Sequence, residues 1–126
     1  MNLNQITIPV KNIEKSIRFY EKLGFQLIVH TKEHYARFIS PDKKATFSLH
    51  ISEKPISENG IWIYFECDNL DKKVSELINL GIEFEELPND KPWLWREARL
   101  KDLDGNILIL YFAGENRMNP PWRINK

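Results

Sequence analysis

The chain has 126 residues, the size of one ordinary domain, residues 1–126. Its 18 Lys and Arg balance 18 Asp and Glu, so the charge carries no footprint for nucleic acid or an anionic membrane. Cys67 is the only cysteine, which forbids an internal disulfide and points to a reducing cytoplasm. No leader-like start and no bilayer-length apolar run is read in it.

In chain order, the first strand alternates Ile6, Ile8 and Val10 with Gln5, Thr7 and Pro9. That period of two gives each set its own face. Asn12 is a helix N-cap, and IEKSIRFYEKL repeats its apolar residues at helical spacing. Gly24 suits a left-handed C-cap. Three strands follow, FQLIVHT, YARFIS and ATFSLHI, with PDKK turning into the last. The Pro55 region and Gly60 mark a join. WIYFECDN then opens a second series: strand, Asn69 cap, helix LDKKVSELINL, Gly81, and strands IEFEEL, WREARLK and NILILYF. DLDGN is the turn before the last of these.

Sliding the chain along itself so that Ile6 meets Ile63 also brings Asn12 to Asn69, Lys15 to Lys72 and Leu23-Gly24-Phe25 to Leu80-Gly81-Ile82. Apolar positions stay apolar, the mark of an internal duplication. The fold class expected is α+β: two tandem β-α-β-β-β modules, residues 3–52 and 60–112, forming a curved mixed-sheet concavity, with a tail over 113–126. A ferredoxin-like fold shares the opening pattern but needs fewer strands per repeat.

The strand phases send Ile6, Ile8, Ile63, Phe65, Phe47, Leu49, Ala98, Leu100, Leu108, Leu110 and Phe112 toward the helices. They send Gln5, Thr7, Thr46, Ser48, His50, Trp62, Tyr64, Trp95, Glu97, Arg99, Ile107, Ile109 and Tyr111 to the opposite faces. Bland readings stand beside these. His30 and His34 flank a turn as surface residues, Cys67 is a packed thiol, and Arg99 pairs with Glu97 or Glu66. Trp122 in the tail either packs or meets a partner.

ITIPVKNIEKSIRFYEKLGF and KDLDGNILILYF resemble the opening and closing patterns of the vicinal oxygen chelate superfamily, which holds glyoxalase I, bleomycin-resistance proteins, fosfomycin-resistance enzymes and extradiol dioxygenases. Leu103 stands where that family usually has Pro. The resemblance covers nearly the whole chain and implies metal-ligand places on the first and last strand of each module. These map to Gln5, the neighbourhood of Ser48 with His50, Trp62 and Ile109. Trp62 and Ile109 cannot bind a metal, and a catalytic divalent site needs about three N, O or S ligands. Gln5, His50 and either Glu97 or Glu66 are the atypical remainder.

The expectation is therefore a metal-free binder of a small aromatic or amphipathic molecule, bleomycin-resistance-like. Trp62, Tyr64, Trp95, Ile109 and Tyr111 would serve as walls and Gln5, Ser48, His50 and Arg99 as polar anchors. No cofactor is expected, and a divalent metal is the alternative. The competing reading is a glyoxalase-like lyase or isomerase, with His50 and Glu97 as acid-base candidates. A third is an interaction protein whose concavity Trp62 and Trp95 fill themselves. A homodimer is expected, and neither nucleic acid nor membrane is an expected partner.

Overall fold

The computed structural model describes residues 3–53 and 61–123. The expected join at Pro55 and Gly60 lies outside the described residues. The elements run β1 (Gln5–Val10), α1 (Ile13–Lys22), β2 (Gln26–Thr31), β3 (Tyr35–Ile39), β4 (Thr46–Ile51), β5 (Trp62–Glu66), α2 (Leu70–Asn79), β6 (Glu86–Asp90), β7 (Arg96–Lys101), β8 (Ile107–Phe112) and α3 (Glu115–Met118). They form two four-stranded sheets, ordered β1-β4-β3-β2 and β5-β8-β7-β6. In each, the first and last strands pair in parallel and the other pairs are antiparallel. The repeated order is the α+β architecture of two β-α-β-β-β modules. Among the described residues no helix is long and apolar enough to cross a membrane.

The chain divides into two compact units. Met1–Ile61 with Asp102–Asn106 make the first, and Trp62–Lys101 with Ile107–Lys126 make the second. The helices of the two units begin and end by the same chemistry. The Asn12 and Asn69 side chains accept hydrogen bonds from the Lys15 and Lys72 amides at 2.9 and 3.4 Å, satisfying donors that a helix start leaves open. At the other end, the Phe25 and Ile82 amides donate back to Tyr20 and Leu77, and the Gly24 and Gly81 amides donate to Glu21 and Ile78. This is the Schellman arrangement, which needs a left-handed residue; Gly24 and Gly81 have φ of 96° and 91°.

Each helix covers one face of its own sheet. In the first unit Tyr20, Phe25, Phe38 and Phe47 pack with ring centroids 4.8–6.1 Å apart, over buried Ile8, Val10 and Leu49. In the second, Val74, Leu77 and Ile82 are buried with Ile63, Ala98, Leu100, Leu108 and Leu110. Each such side chain contributes about 1.5–3 kcal/mol when fully buried.

The outcome differs from expectation at the margins of these elements. The strand predicted over IEFEEL starts later, at Glu86, because Ile82 is consumed by the α2 C-cap. Its register then jumps between Glu86 and Asn89, where Pro88 cannot donate to a ladder; an edge strand tolerates that. Ile6 and Phe112 were expected in the core but are 37% and 42% exposed, one near the start of an edge strand and one at the end of β8. Trp122 is 57% exposed rather than packed. Cys67 is half-buried, and burial pushes its thiol up, away from the reactive thiolate.

A buried carboxylate organises the first unit. Asp102, 7% exposed, accepts from the Tyr20 hydroxyl at 2.7 Å, the Asn106 side-chain amide at 2.9 Å, and the Asp104 and Asn106 backbone amides, both at 2.9 Å. Asp104 in turn accepts from the Lys11 amide at 2.7 Å. The Asp102–Asn106 turn is thereby bound to α1 and the end of β1, with Gly105 at a φ of 86°. Tyr20→Phe keeps the ring and removes one donor from this carboxylate. It should lower stability by about 1–3 kcal/mol, the cost of leaving a buried acceptor short, read as a lower urea midpoint with an unchanged slope. An unchanged midpoint would contradict the role given to Asp102.

Candidate functional site

The sheet faces opposite the helices carry the side chains with chemistry, and each unit has its own set. In the second unit, cross-strand pairing sets Trp62 beside Ile107, Tyr64 beside Ile109, and Glu66 beside Tyr111. On the other side of β8, Arg99 pairs with Ile109 and Glu97 with Tyr111. Partners in register point to one face, so these residues share it. Trp95, just before β7, stacks on Tyr111 with centroids 4.6 Å apart and planes 16° from parallel. Tyr64 meets both rings edge-on, at 5.9 and 5.7 Å. Beneath them Ile107, Ile109, Tyr111 and Ala113 form one buried apolar cluster against which Trp95 packs. Desolvation raises the Tyr111 and Tyr64 phenols, and the Glu97 charge adds to the rise at Tyr64.

Trp62 is 51% exposed, and the Arg99 guanidinium lies over its ring, 4.8 Å from the centroid. The buried Nε of Arg99 has no hydrogen-bond partner among the described residues; the Glu85 carboxylate stands off at 3.7 Å and is shared with Lys101 at 3.2 Å. Buried donors are normally paired, and this Nε, with no exposed surface, is left short. Glu97 is 6% exposed and accepts from the Trp93 indole N–H at 2.5 Å. Glu66 is held instead by the Ala113 and Gly114 amides at 2.9 and 3.0 Å.

In the first unit the corresponding face is polar. Thr7 pairs with Ser48 and Gln5 with Thr46, while Arg37 pairs with Ser48 and Tyr35 with His50. Gln5 Nε2 donates to Ser48 Oγ at 2.8 Å, and the Thr46 hydroxyl donates to Gln5 Oε1. Ser48 and Tyr35 share a hydrogen bond of 2.7 Å, and Arg37 Nε donates to the Tyr35 oxygen at 2.9 Å. His50 is exposed, its Nδ1 lying 2.8 Å from the Ile51 carbonyl. Tyr35 and Arg37 were not singled out in the sequence. Their signal was the alternation of Tyr35, Arg37 and Ile39 with buried Ala36 and Phe38.

The family-type metal places do not suit a divalent cation. Trp62 and Ile109 bring an indole and a hydrocarbon, which lack a donor lone pair. Gln5 and Ser48 are bonded to each other, and the alternative ligands Glu66 and Glu97 are engaged by amide and indole donors. Among the described residues no group of three or more His, Cys, Asp or Glu is disposed to hold a metal ion.

Residues 2–110 match the profile of the Glyoxalase/Bleomycin resistance protein/Dioxygenase superfamily. No match is found among curated proteins. Among solved structures, a glyoxalase/bleomycin resistance protein/dioxygenase from Nocardioides is similar with a TM-score of 0.81 at 20% identity, covering 99% of this chain and 90% of its own. A bleomycin-binding protein complexed with bleomycin gives 0.72 at 17%, covering 89% and 98%. Lactoylglutathione lyase from Agrobacterium tumefaciens gives 0.74 at 13%, covering 88% and 92%. At these identities the likeness is one of fold.

Tyr35 differs electrostatically from the other tyrosines. Its partial burial alone would raise the phenol, but the hydrogen bonds with Ser48 and Arg37, and then the Arg37 charge, outweigh that and hold it below the ordinary value. Tyr20, Tyr64 and Tyr111 are all shifted upward. On an alkaline titration followed by tyrosinate absorbance, the first phenol to ionise should therefore vanish in Tyr35→Phe. Survival of that first transition in the variant would refute the assignment.

Proposed function

The chain belongs to the Glyoxalase/Bleomycin resistance protein/Dioxygenase superfamily, and from that premise we propose that it binds a small aromatic or amphipathic molecule without a metal. The observation that carries this reading is the Arg99 guanidinium over the exposed Trp62 ring at 4.8 Å. An aromatic ligand on Trp62 or Tyr64 would gain about 0.5–1.5 kcal/mol per well-formed ring contact beyond area burial. Arg99 would add charge-assisted hydrogen bonds to an acidic group, about twice as strong as neutral ones. The donor-poor Trp62 and Ile109 support metal independence. A similar fold seen in complex with bleomycin supports ligand capture.

The test is a thermal-shift screen of aromatic antibiotics, keto acids and thiol adducts, run with chelator and then with added metals. Stabilisation should persist in chelator with the compound unchanged. Arg99→Ala should weaken anionic ligands about tenfold more than neutral ones, and Trp62→Ala should weaken both. Hits confined to metal-loaded samples would overturn the reading.

The second reading is a glyoxalase-like lyase or isomerase. It is favoured by Glu97, a buried carboxylate on the aromatic face held by the Trp93 indole, and by the similar fold of a lactoylglutathione lyase. Turnover of a hemithioacetal that disappears in Glu97→Gln or His50→Ala would select it. Single Cys67 is compatible with a cytoplasmic setting. We also infer a homodimer, supported by apolar side chains at the surface that include Leu87 and Trp122, 60% and 57% exposed. Light scattering should read twice the chain mass of 15.0 kDa, and a monomer at high micromolar concentration would sink the inference.

A further inference from the structure

Proton positions on the first sheet follow from its hydrogen bonds. The Ile6 carbonyl, 3.1 Å from Gln5 Nε2, can only accept, which fixes the amide with Nε2 toward Ser48 at 2.8 Å and Oε1 toward the Thr46 hydroxyl. Ser48 Oγ therefore accepts from Gln5. Ser48 is fully buried, so its own proton needs a protein acceptor, and the Tyr35 oxygen at 2.7 Å is the one in reach. Arg37 Nε–H reaches that oxygen as well, at 2.9 Å. The phenolic oxygen thus accepts twice, and among the described residues its own O–H has no acceptor. Among the described residues the terminal nitrogens of Arg37 likewise have no acceptor, its hydrogen bond to Tyr35 using Nε alone. Tyr35 is half-buried and Arg37 exposed, so both donors are open to a solute.

We propose that the Tyr35 hydroxyl and the Arg37 guanidinium form a carboxylate-binding clamp, preorganised by Gln5, Ser48 and Thr46. The relay gives it this specificity. A phenol that accepts two hydrogen bonds is a polarised donor, and chains of hydrogen bonds strengthen one another. A guanidinium whose Nε is fixed presents its remaining N–H groups in a defined plane, the geometry that suits a carboxylate. The face has no carboxylate of its own in register: the neighbours are Gln5, Thr7, Thr46, Ser48, His50 and Ile39, with Val29 and Thr31 on the β2 side. The clamp stands apart from the Arg99 reading, since it uses neither Trp62 nor Arg99.

The experiment uses cyclohexanecarboxylate, which cannot stack on tryptophan, and its uncharged amide. Binding to the full chain is followed by the Arg37 Nε–H magnetic resonance and by the tyrosinate titration. The acid should give a saturable shift of the Arg37 signal and raise the first tyrosine midpoint, because a bound anion disfavours phenolate. The amide should do neither. Tyr35→Phe, which preserves the ring, should weaken the acid about tenfold. Arg37→Gln should weaken it further, and Arg37→Lys should restore only part. Gln5→Ala, outside the clamp itself, should lower affinity while leaving the circular dichroism spectrum unchanged. No saturable shift, equal binding of acid and amide, or unchanged affinity in both Tyr35→Phe and Arg37→Gln would overturn the clamp.

Discussion

Each four-stranded sheet has one ten-residue helix to cover it, and a helix of that length covers one face. Most of the architecture and chemistry follows from that constraint. The covered face takes the alternate residues Ile8, Val10, Phe38, Phe47 and Leu49 in one unit and Ile63, Ala98, Leu100, Leu108 and Leu110 in the other, nearly all fully buried. Because strand side chains alternate, every residue between them is displaced to the opposite face. Polar groups unsuited to a helix-sheet core therefore collect there without a special device.

The two units have used that second face differently. In the first it holds a hydrogen-bonded chain running from Thr46 through Gln5 and Ser48 to Tyr35 and Arg37. In the second it holds the Trp95–Tyr111 stack, the edge-on Tyr64 and the Trp62–Arg99 pair. Gln5 and Trp62 are equivalent positions of a duplicated unit, and the contrast between them summarises the difference. One side chain orients polar neighbours and the other offers a flat ring.

Much of this was legible in the sequence because local rules and repetition agreed. Asn12 with Gly24, and Asn69 with Gly81, bracket helices by capping chemistry that reads directly from residue type, and the repeat doubled the signal. Strand phase was legible where one face is buried. It failed at Ile6 and Phe112, near strand ends where alternation no longer implies burial. The β6 boundary was hidden because Ile82 looks like a strand residue but gives its amide to the helix end at Leu77. The Tyr35–Arg37 pair was hidden for another reason. Alternation places both on the polar face, but their importance depends on a reach across to Ser48 that no local pattern records. The Asp102 cluster likewise needed Tyr20, more than eighty positions away along the chain.

The central claim is that a ligand is held through the Trp62 ring and the Arg99 cation without a metal. It is tested most directly by following the indole N–H resonances of the tryptophans during titration with an aromatic carboxylate in the presence of a chelator. The account predicts a saturable shift of the Trp62 resonance, identified by its absence in Trp62→Phe. A Trp62 resonance that stays fixed in chelator and moves only after a divalent metal is added would contradict it.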